Sequence, residues 1–203
     1  MIGTARTAPR PRYTHVAIAL HRLSALAVLG LIAIGLVMSH GDLAPMRRFQ
    51  LYQWHKSVGI TVLVLSLLRL GWRLSHRPQP LPATLPARER AGAHAAHALL
   101  YGFLLGLPLI GWAVVSVSPF NLPTVLYGVV PWPHLPVLPE LPELANKAAV
   151  EAVLQQVHAW GAWILIGLLL LHVGAALRHH LVLRDDTLRR MLPRAPLKSG
   201  SEA

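Results

Sequence analysis

Residues 157–177 read VHAWGAWILIGLLLLHVGAAL, an apolar run interrupted only by two imidazoles, His158 and His172. The run is long enough to cross a bilayer as a helix and shows no strand-like alternation. At 3.6 residues per turn, a spacing of fourteen falls within about 40° of four whole turns, so both rings leave the same face. They stand roughly 21 Å apart along the axis. An imidazole in lipid is costly unless it faces a bundle interior and finds a partner there. Two of them on one stripe predict two stacked metal centres, one near each membrane surface.

Working outward, the chain has 203 residues, of which 54% are hydrophobic and only 13% charged. Three further runs, 16–38, 52–72 and 95–117, match the length of a spanning helix. Lipid admits helices or closed barrels, and the absence of period-two alternation excludes the barrel. The expected fold is all-α, an integral membrane four-helix bundle. The Arg-rich start followed by an apolar run resembles a signal peptide, but the run is too long for one, and VMSHGDLAP after it offers no small-residue cleavage site.

The net charge of +11 is distributed by side. Fifteen Lys and Arg lie in the N-terminal arm through Arg22, in the connection from Arg69 to Arg90, and from Arg178 onward. The other two connections hold four: Arg47, Arg48, Lys56 and Lys147. This is a positive-inside pattern, with both termini cytoplasmic and lipid as the partner of the basic surface. It argues against a nucleic-acid surface. The chain has no cysteine, which excludes disulfides, thiolate-held iron–sulfur clusters and thioether-linked haem.

The expected organisation is a cytoplasmic arm over 1–15, a transmembrane domain over 16–183 and a basic cytoplasmic tail over 184–203. Residues 76–90, HRPQPLPATLPARER with His76, read as a proline-punctuated cytoplasmic loop. The outer segment 118–156 is the largest non-spanning piece. Prolines at 119, 123, 131, 133, 136, 139 and 142 exclude regular helix from its first half. From residue 143 to 156 the pattern turns helical and leads into the fourth span. Trp54, Trp132 and Trp160 fall near the outer boundary and Trp72 near the inner one, as an aromatic belt requires.

Depth sorts the twelve histidines. His40, His76 and His134 fall in connections. His172 lies about 22 Å below the outer edge of the fourth span, and His21 about 6 Å above the inner edge of the first, so their depths match. His55 opens the second span and His158 the fourth, and they match likewise. Two transmembrane pairs result, His21 with His172 inside and His55 with His158 outside. Bis-histidine b haem fits two such levels. Zinc wants four ligands with Cys or carboxylate help, and no carboxylate lies in a span. Copper would recruit methionines, and none joins a level. His94 and His97 open the third span on the inner side and His179 closes the fourth. They are placed to meet haem propionates or a quinone headgroup, and His97 competes with His21 as a ligand. Arg22, Arg69 and Arg73 are placed either to pair with propionates or to snorkel to the interface. Gly59, Gly161, Gly167 and Gly174 leave room either for a porphyrin or for close helix packing.

These residues carry a resemblance. WHKSVG around His55, AHAAHALLYGFLLGLPLIGW in the third span, VHAWGAW…GLLLLHVGAALRHH in the fourth and the closing RDDTLRRMLPR resemble the bacterial cytochrome b561 family. The likeness covers nearly the whole chain and departs where Arg22 stands in place of the tryptophan that commonly follows the first histidine. It implies a multi-pass protein of the bacterial inner membrane with two b haems. The implied ligands are His21 with His172 and His55 with His158, with His97 and His179 near the inner haem and a quinone site. It further implies single-electron transfer between an outer donor, superoxide in the members similar to superoxide oxidase, and ubiquinone. Two filled axial positions leave no open site for oxygen chemistry. Arg47, Arg48 and Lys56 would steer an anionic donor. Two other readings stay open: the cytochrome b anchor of a hydrogenase or dehydrogenase complex, and a histidine-lined metal transporter or haem-binding module.

The charge split makes a topological prediction. A reporter fused after Ala203 should read cytoplasmic and one inserted near Pro131 periplasmic. The opposite pattern would reverse the two faces.

Overall fold

The last three apolar runs continue as helix well beyond the lipid-matched stretch, where their flanks carry good helix formers such as Met46, Arg88, Glu89 and Glu151. The computed structural model describes residues 13–76, 86–136, 144–184, 188 and 191. Its four long helices are α1 (His15–His40), α2 (Pro45–Ser75), α3 (Ala87–Val117) and α4 (Leu144–Leu181), all long and apolar enough to cross a membrane. Thr14 caps α1, its hydroxyl accepting from the Ala17 N–H at 3.2 Å and from Trp72 Nε1 at 3.1 Å. One hydroxyl thus starts α1 and ties it to the end of α2. Pro45 stands in the first turn of α2, where a missing N–H costs nothing. Pro108 lies inside α3 and leaves the Leu104 carbonyl without its helical donor.

A four-residue connection makes α1 and α2 antiparallel neighbours, and packing continues from α2 to α3 and from α3 to α4. The buried core is thin: Val28, Val62, Leu100, Leu104, Leu107 and Leu165 form one cluster through the middle of the bundle. Most large apolar side chains point outward, among them Leu26, Leu29, Trp160, Leu170 and Leu171. In water such a surface would aggregate. In a bilayer it is the solvated face.

The Pro-rich outer segment holds a feature that its prolines conceal. Residues Thr124–Leu126 (β1) and Val130–Trp132 (β2) pair as an antiparallel hairpin, with Thr124 opposite Trp132 and Leu126 opposite Val130. The turn needs left-handed backbone, supplied by Tyr127 at φ 53° and Gly128 at φ 74°. The Tyr127 N–H donates to Ser57 Oγ at 2.9 Å, and the Tyr127 hydroxyl meets Thr61 Oγ1 at 2.6 Å. Trp112 Nε1 donates to the Pro133 carbonyl at 2.9 Å, and the Leu135 N–H donates to Ser116 Oγ at 2.9 Å. The hairpin is therefore fastened to the body of α2 and to the last turns of α3. Trp132 packs against Trp112 with ring centres 5.6 Å apart.

The helical extension expected from residue 143 is present: α4 runs unbroken from Leu144 through the span. Residues 77–85 of the expected cytoplasmic loop, and nearly all of the expected terminal arms, lie outside the described residues.

Ser57 is buried and serves the hairpin directly. Ser57→Ala would leave the Tyr127 N–H unpaired, at a cost of about 1–3 kcal/mol. A lowered Tm in detergent is expected. An unchanged Tm would show that the other contacts alone dock the hairpin.

Candidate functional site

The four helices share a register of seven residues. His21, Val28 and Gly35 follow one another at this interval on α1, and His55, Val62 and Arg69 on α2. His97, Leu104 and Gly111 do so on α3, and His158, Leu165 and His172 on α4. Seven residues make nearly two turns, about 10 Å of rise, so each trio holds one face of its helix. Because neighbours run antiparallel, the trios stack into three layers of four. The middle layer is Val28, Val62, Leu104 and Leu165, all buried. The layer called outer here, after the charge-derived orientation, is Gly35, His55, Gly111 and His158. The inner layer is His21, Arg69, His97 and His172.

Within the outer layer the His55 and His158 rings stand 6.1 Å apart, centre to centre, with their planes at 73°. Within the inner layer His21 and His172 stand 6.3 Å apart at 74°. Two imidazoles at this distance cannot hydrogen-bond each other, since even facing nitrogens would be ~4 Å apart. One metal ion between them fits: two metal–nitrogen bonds of about 2.0 Å plus about 1.1 Å from each nitrogen to its ring centre give roughly 6.2 Å. Nδ1 of His21, His55 and His158 is buried with no hydrogen-bond partner, the Leu107 backbone lying near the His158 ring without closing a bond at Nδ1. Among the described residues no three His, Cys, Asp or Glu side chains converge on a metal-sized point. A group held by two imidazoles must bring its equatorial ligands with it, which a porphyrin does. The residues present therefore fit haem.

The inner layer is the more crowded. The His97 ring lies 5.7 Å from that of His172, so His172 has two imidazole neighbours. Arg69 and, one turn on, Arg73 place their guanidinium carbons 5.3 and 5.6 Å from the Tyr101 ring centre. Tyr101 follows His97 by one turn and shares its face. Sequence reading passed over Tyr101 because a lone tyrosine in an apolar helix carries no pattern.

The other expected site residues are more scattered. Arg22 is exposed and donates to the Met191 carbonyl at 3.2 Å, tying the C-terminal stretch to α1. His94 is exposed two turns into α3, and His179 is half-buried in the last turn of α4. His55 and His158 do not open their helices, which begin about three and four turns earlier, yet they do meet. His40 ends α1, and His76 stacks on Trp72 at 3.9 Å. Of the glycines noted for porphyrin room, Gly59, Gly167 and Gly174 border open space, while Gly161 is closed over by the Leu107 side chain. The glycines that touch histidines are Gly35 and Gly111, which the sequence reading did not single out.

Comparison with known proteins agrees with this architecture. A family model described as prokaryotic cytochrome b561 matches residues 12–194. Cytochrome b561 homolog 2 of Escherichia coli K12 is 32% identical over 190 residues, covering 93% of this chain and 95% of that protein. Cytochrome b561 homolog 1 of the same organism is 30% identical over 142 residues, covering 69% and 73%. A probable superoxide oxidase CybB of Yersinia pestis is 32% identical over 141 residues, covering 69% and 73%. With four apolar spanning helices and a match across most of its length, the chain belongs to the prokaryotic cytochrome b561 family: a multi-pass, b-haem-binding electron-transfer protein of the bacterial inner membrane.

Proposed function

We propose that this protein carries single electrons across the inner membrane through two b haems. His55 and His158 hold the outer one, and His21 and His172 the inner one. The observation that carries this reading is the pair of facing imidazole couples, at 6.1 and 6.3 Å, two layers apart in one bundle. Each haem supplies a one-electron iron couple when bound. With two imidazoles committed to each haem, the protein would leave no open coordination site for oxygen and would restrict the reaction to electron passage.

The chain's own residues give the two ends different work. On the outer side of α2 Lys56 adjoins His55, with Arg47 and Arg48 about two turns farther out, and these cations would attract an anionic donor by long-range field. Superoxide has the right charge, and a relative at 32% identity is described as a probable superoxide oxidase. On the inner side Arg69 would pair with haem carboxylates, and so would Arg22 on giving up the Met191 carbonyl. His97, His179 and His94 offer imidazoles for a quinone headgroup, and ubiquinone is the acceptor. The middle layer of Val28, Val62, Leu104 and Leu165 has no polar side-chain atom, so it passes no proton with the electron. Protons for quinone reduction must then enter from the inner side, where the imidazoles are. Both termini are cytoplasmic in this scheme. Residues 1–15 and 184–203 flank a single haem-bearing domain over 16–183.

Spectroscopy with ligand variants tests the scheme. The purified protein should show two non-covalent haems per chain, both six-coordinate and low-spin. Near-perpendicular ligand planes should give strongly anisotropic electron paramagnetic resonance signals. His172→Ala should lose the inner haem and quinone reduction while an outer donor still reduces the remaining haem. His158→Ala should block entry from outside. His179→Ala should keep both haems and slow quinone turnover. One haem per chain, or loss of the same haem from His172→Ala and His158→Ala, would overturn it.

A further inference from the structure

The outer layer spends two of its four positions on glycine, and those glycines are where the helices opposite touch the imidazoles. A Cβ built on Gly111 would stand 3.2 Å from Cε1 and 3.5 Å from Nδ1 of His158. A Cβ on Gly35 would stand 3.5 Å from Cε1 and 3.9 Å from Nδ1 of His55. The same ring edge faces the glycine in both cases. So α3 backs the His158 ring, and α1 backs the His55 ring. Such closeness is not general in this bundle: a Cβ on Gly30, Gly59 or Gly71 would meet nothing within 4 Å. Nor is it repeated in the inner layer, where the remaining two positions are Arg69 and His97.

A ring backed by main chain has little room to turn toward it. The orientation of an axial imidazole is normally set by what its non-coordinating edge rests against, and this tunes the metal it binds. Here Nδ1 closes no hydrogen bond in either histidine, the Leu107 backbone near the His158 ring being the one polar neighbour, so contact with the main chain at the glycines is what bears on the angle.

We propose that Gly111, and more loosely Gly35, are positioning residues that set the ring orientation of His158 and His55 and so tune the outer haem alone. The proposal rests on the bis-histidine reading above. Alanine at 111 brings its methyl to a distance at which the imidazole must give way by a few tenths of an ångström. Alanine at 35 reaches only ordinary contact, and a longer branched side chain is needed there to displace the ring.

The test is a graded series on the full-length haem-loaded protein: Gly111→Ala, Gly35→Ala, Gly35→Ile, and Gly71→Ala as a substitution into open space. Haem content, paramagnetic resonance and potentiometric titration of each of the two haem signals are the readouts. Gly111→Ala should shift the g-values and midpoint of one haem, or lose up to one haem per chain, with the other signal unmoved. Gly35→Ile should affect that same signal, while Gly35→Ala and Gly71→Ala should match the unmodified protein. If Gly111→Ala does not accumulate, Gly35→Ile alone decides. The signal affected must be the one that His158→Ala removes. If His158→Ala removes a haem but both signals of Gly111→Ala and Gly35→Ile are unchanged, or the inner signal moves instead, the glycine assignment falls and the ligand scheme survives. If His158→Ala removes no haem, the ligand scheme falls first.

Discussion

An imidazole inside a membrane has to meet something, and in this protein that requirement falls on every helix at an interval of seven residues. The interval is nearly two helical turns, so a position repeated at seven stays on one face over the two steps used here. Antiparallel neighbours sharing the interval must stack their positions into common levels. Three levels result, and only the outermost two contain nitrogen-bearing side chains. The bundle is held in register by facing polar pairs above and below an apolar layer, more than by a broad hydrophobic interior. The thin core follows from this: in lipid there is no hydrophobic drive to press helices together, and small contacts plus a shared cofactor must suffice.

The two nitrogen-bearing levels are built on different plans. The inner one fills all four of its positions with cationic or titratable side chains and adds Arg73 and Tyr101 one turn away. Two guanidinium groups flanking one aromatic ring, with no carboxylate in the layer, make a site in want of anions, as haem carboxylates would supply. The outer level has glycine where the inner has Arg69 and His97, and a hairpin fastened to Ser57, Thr61 and Ser116 packs alongside it. One end is therefore crowded and cationic, the other tight and without a charged side chain among its four positions. In the proposed scheme that difference gives the crowded end the larger acceptor and the tight end the small donor.

Much of this was legible in the sequence because bilayer thickness is a ruler. Four apolar runs, the charge asymmetry and depth counted at 1.5 Å per residue were enough to set His21 beside His172 and His55 beside His158. What escaped were features without a ruler. Gly35 and Gly111 look like any other small residues in a membrane helix until the partner helix is in place, and the glycines chosen for their closeness in sequence to histidines proved to border open space or a leucine. The hairpin escaped because seven prolines dominate its segment. Only the Tyr127–Gly128 turn between two short β-branched stretches marks it. Tyr101 needed the face of α2 to acquire meaning.

The middle layer gives the arrangement its direction. Val28, Val62, Leu104 and Leu165 stand one step of seven from each polar level and carry no group able to donate or accept a proton. A proton crossing this layer would find no relay and an ion no hydration, so in the proposed scheme only an electron passes it. In the proposed scheme electron and proton therefore part company at that layer, and proton uptake for quinone reduction would fall to the titratable groups gathered at the Arg69 and His97 level. A membrane protein of this size can separate the two particles only if its middle is dry, and the seven-residue register is what puts an aliphatic side chain from each of the four helices at that height.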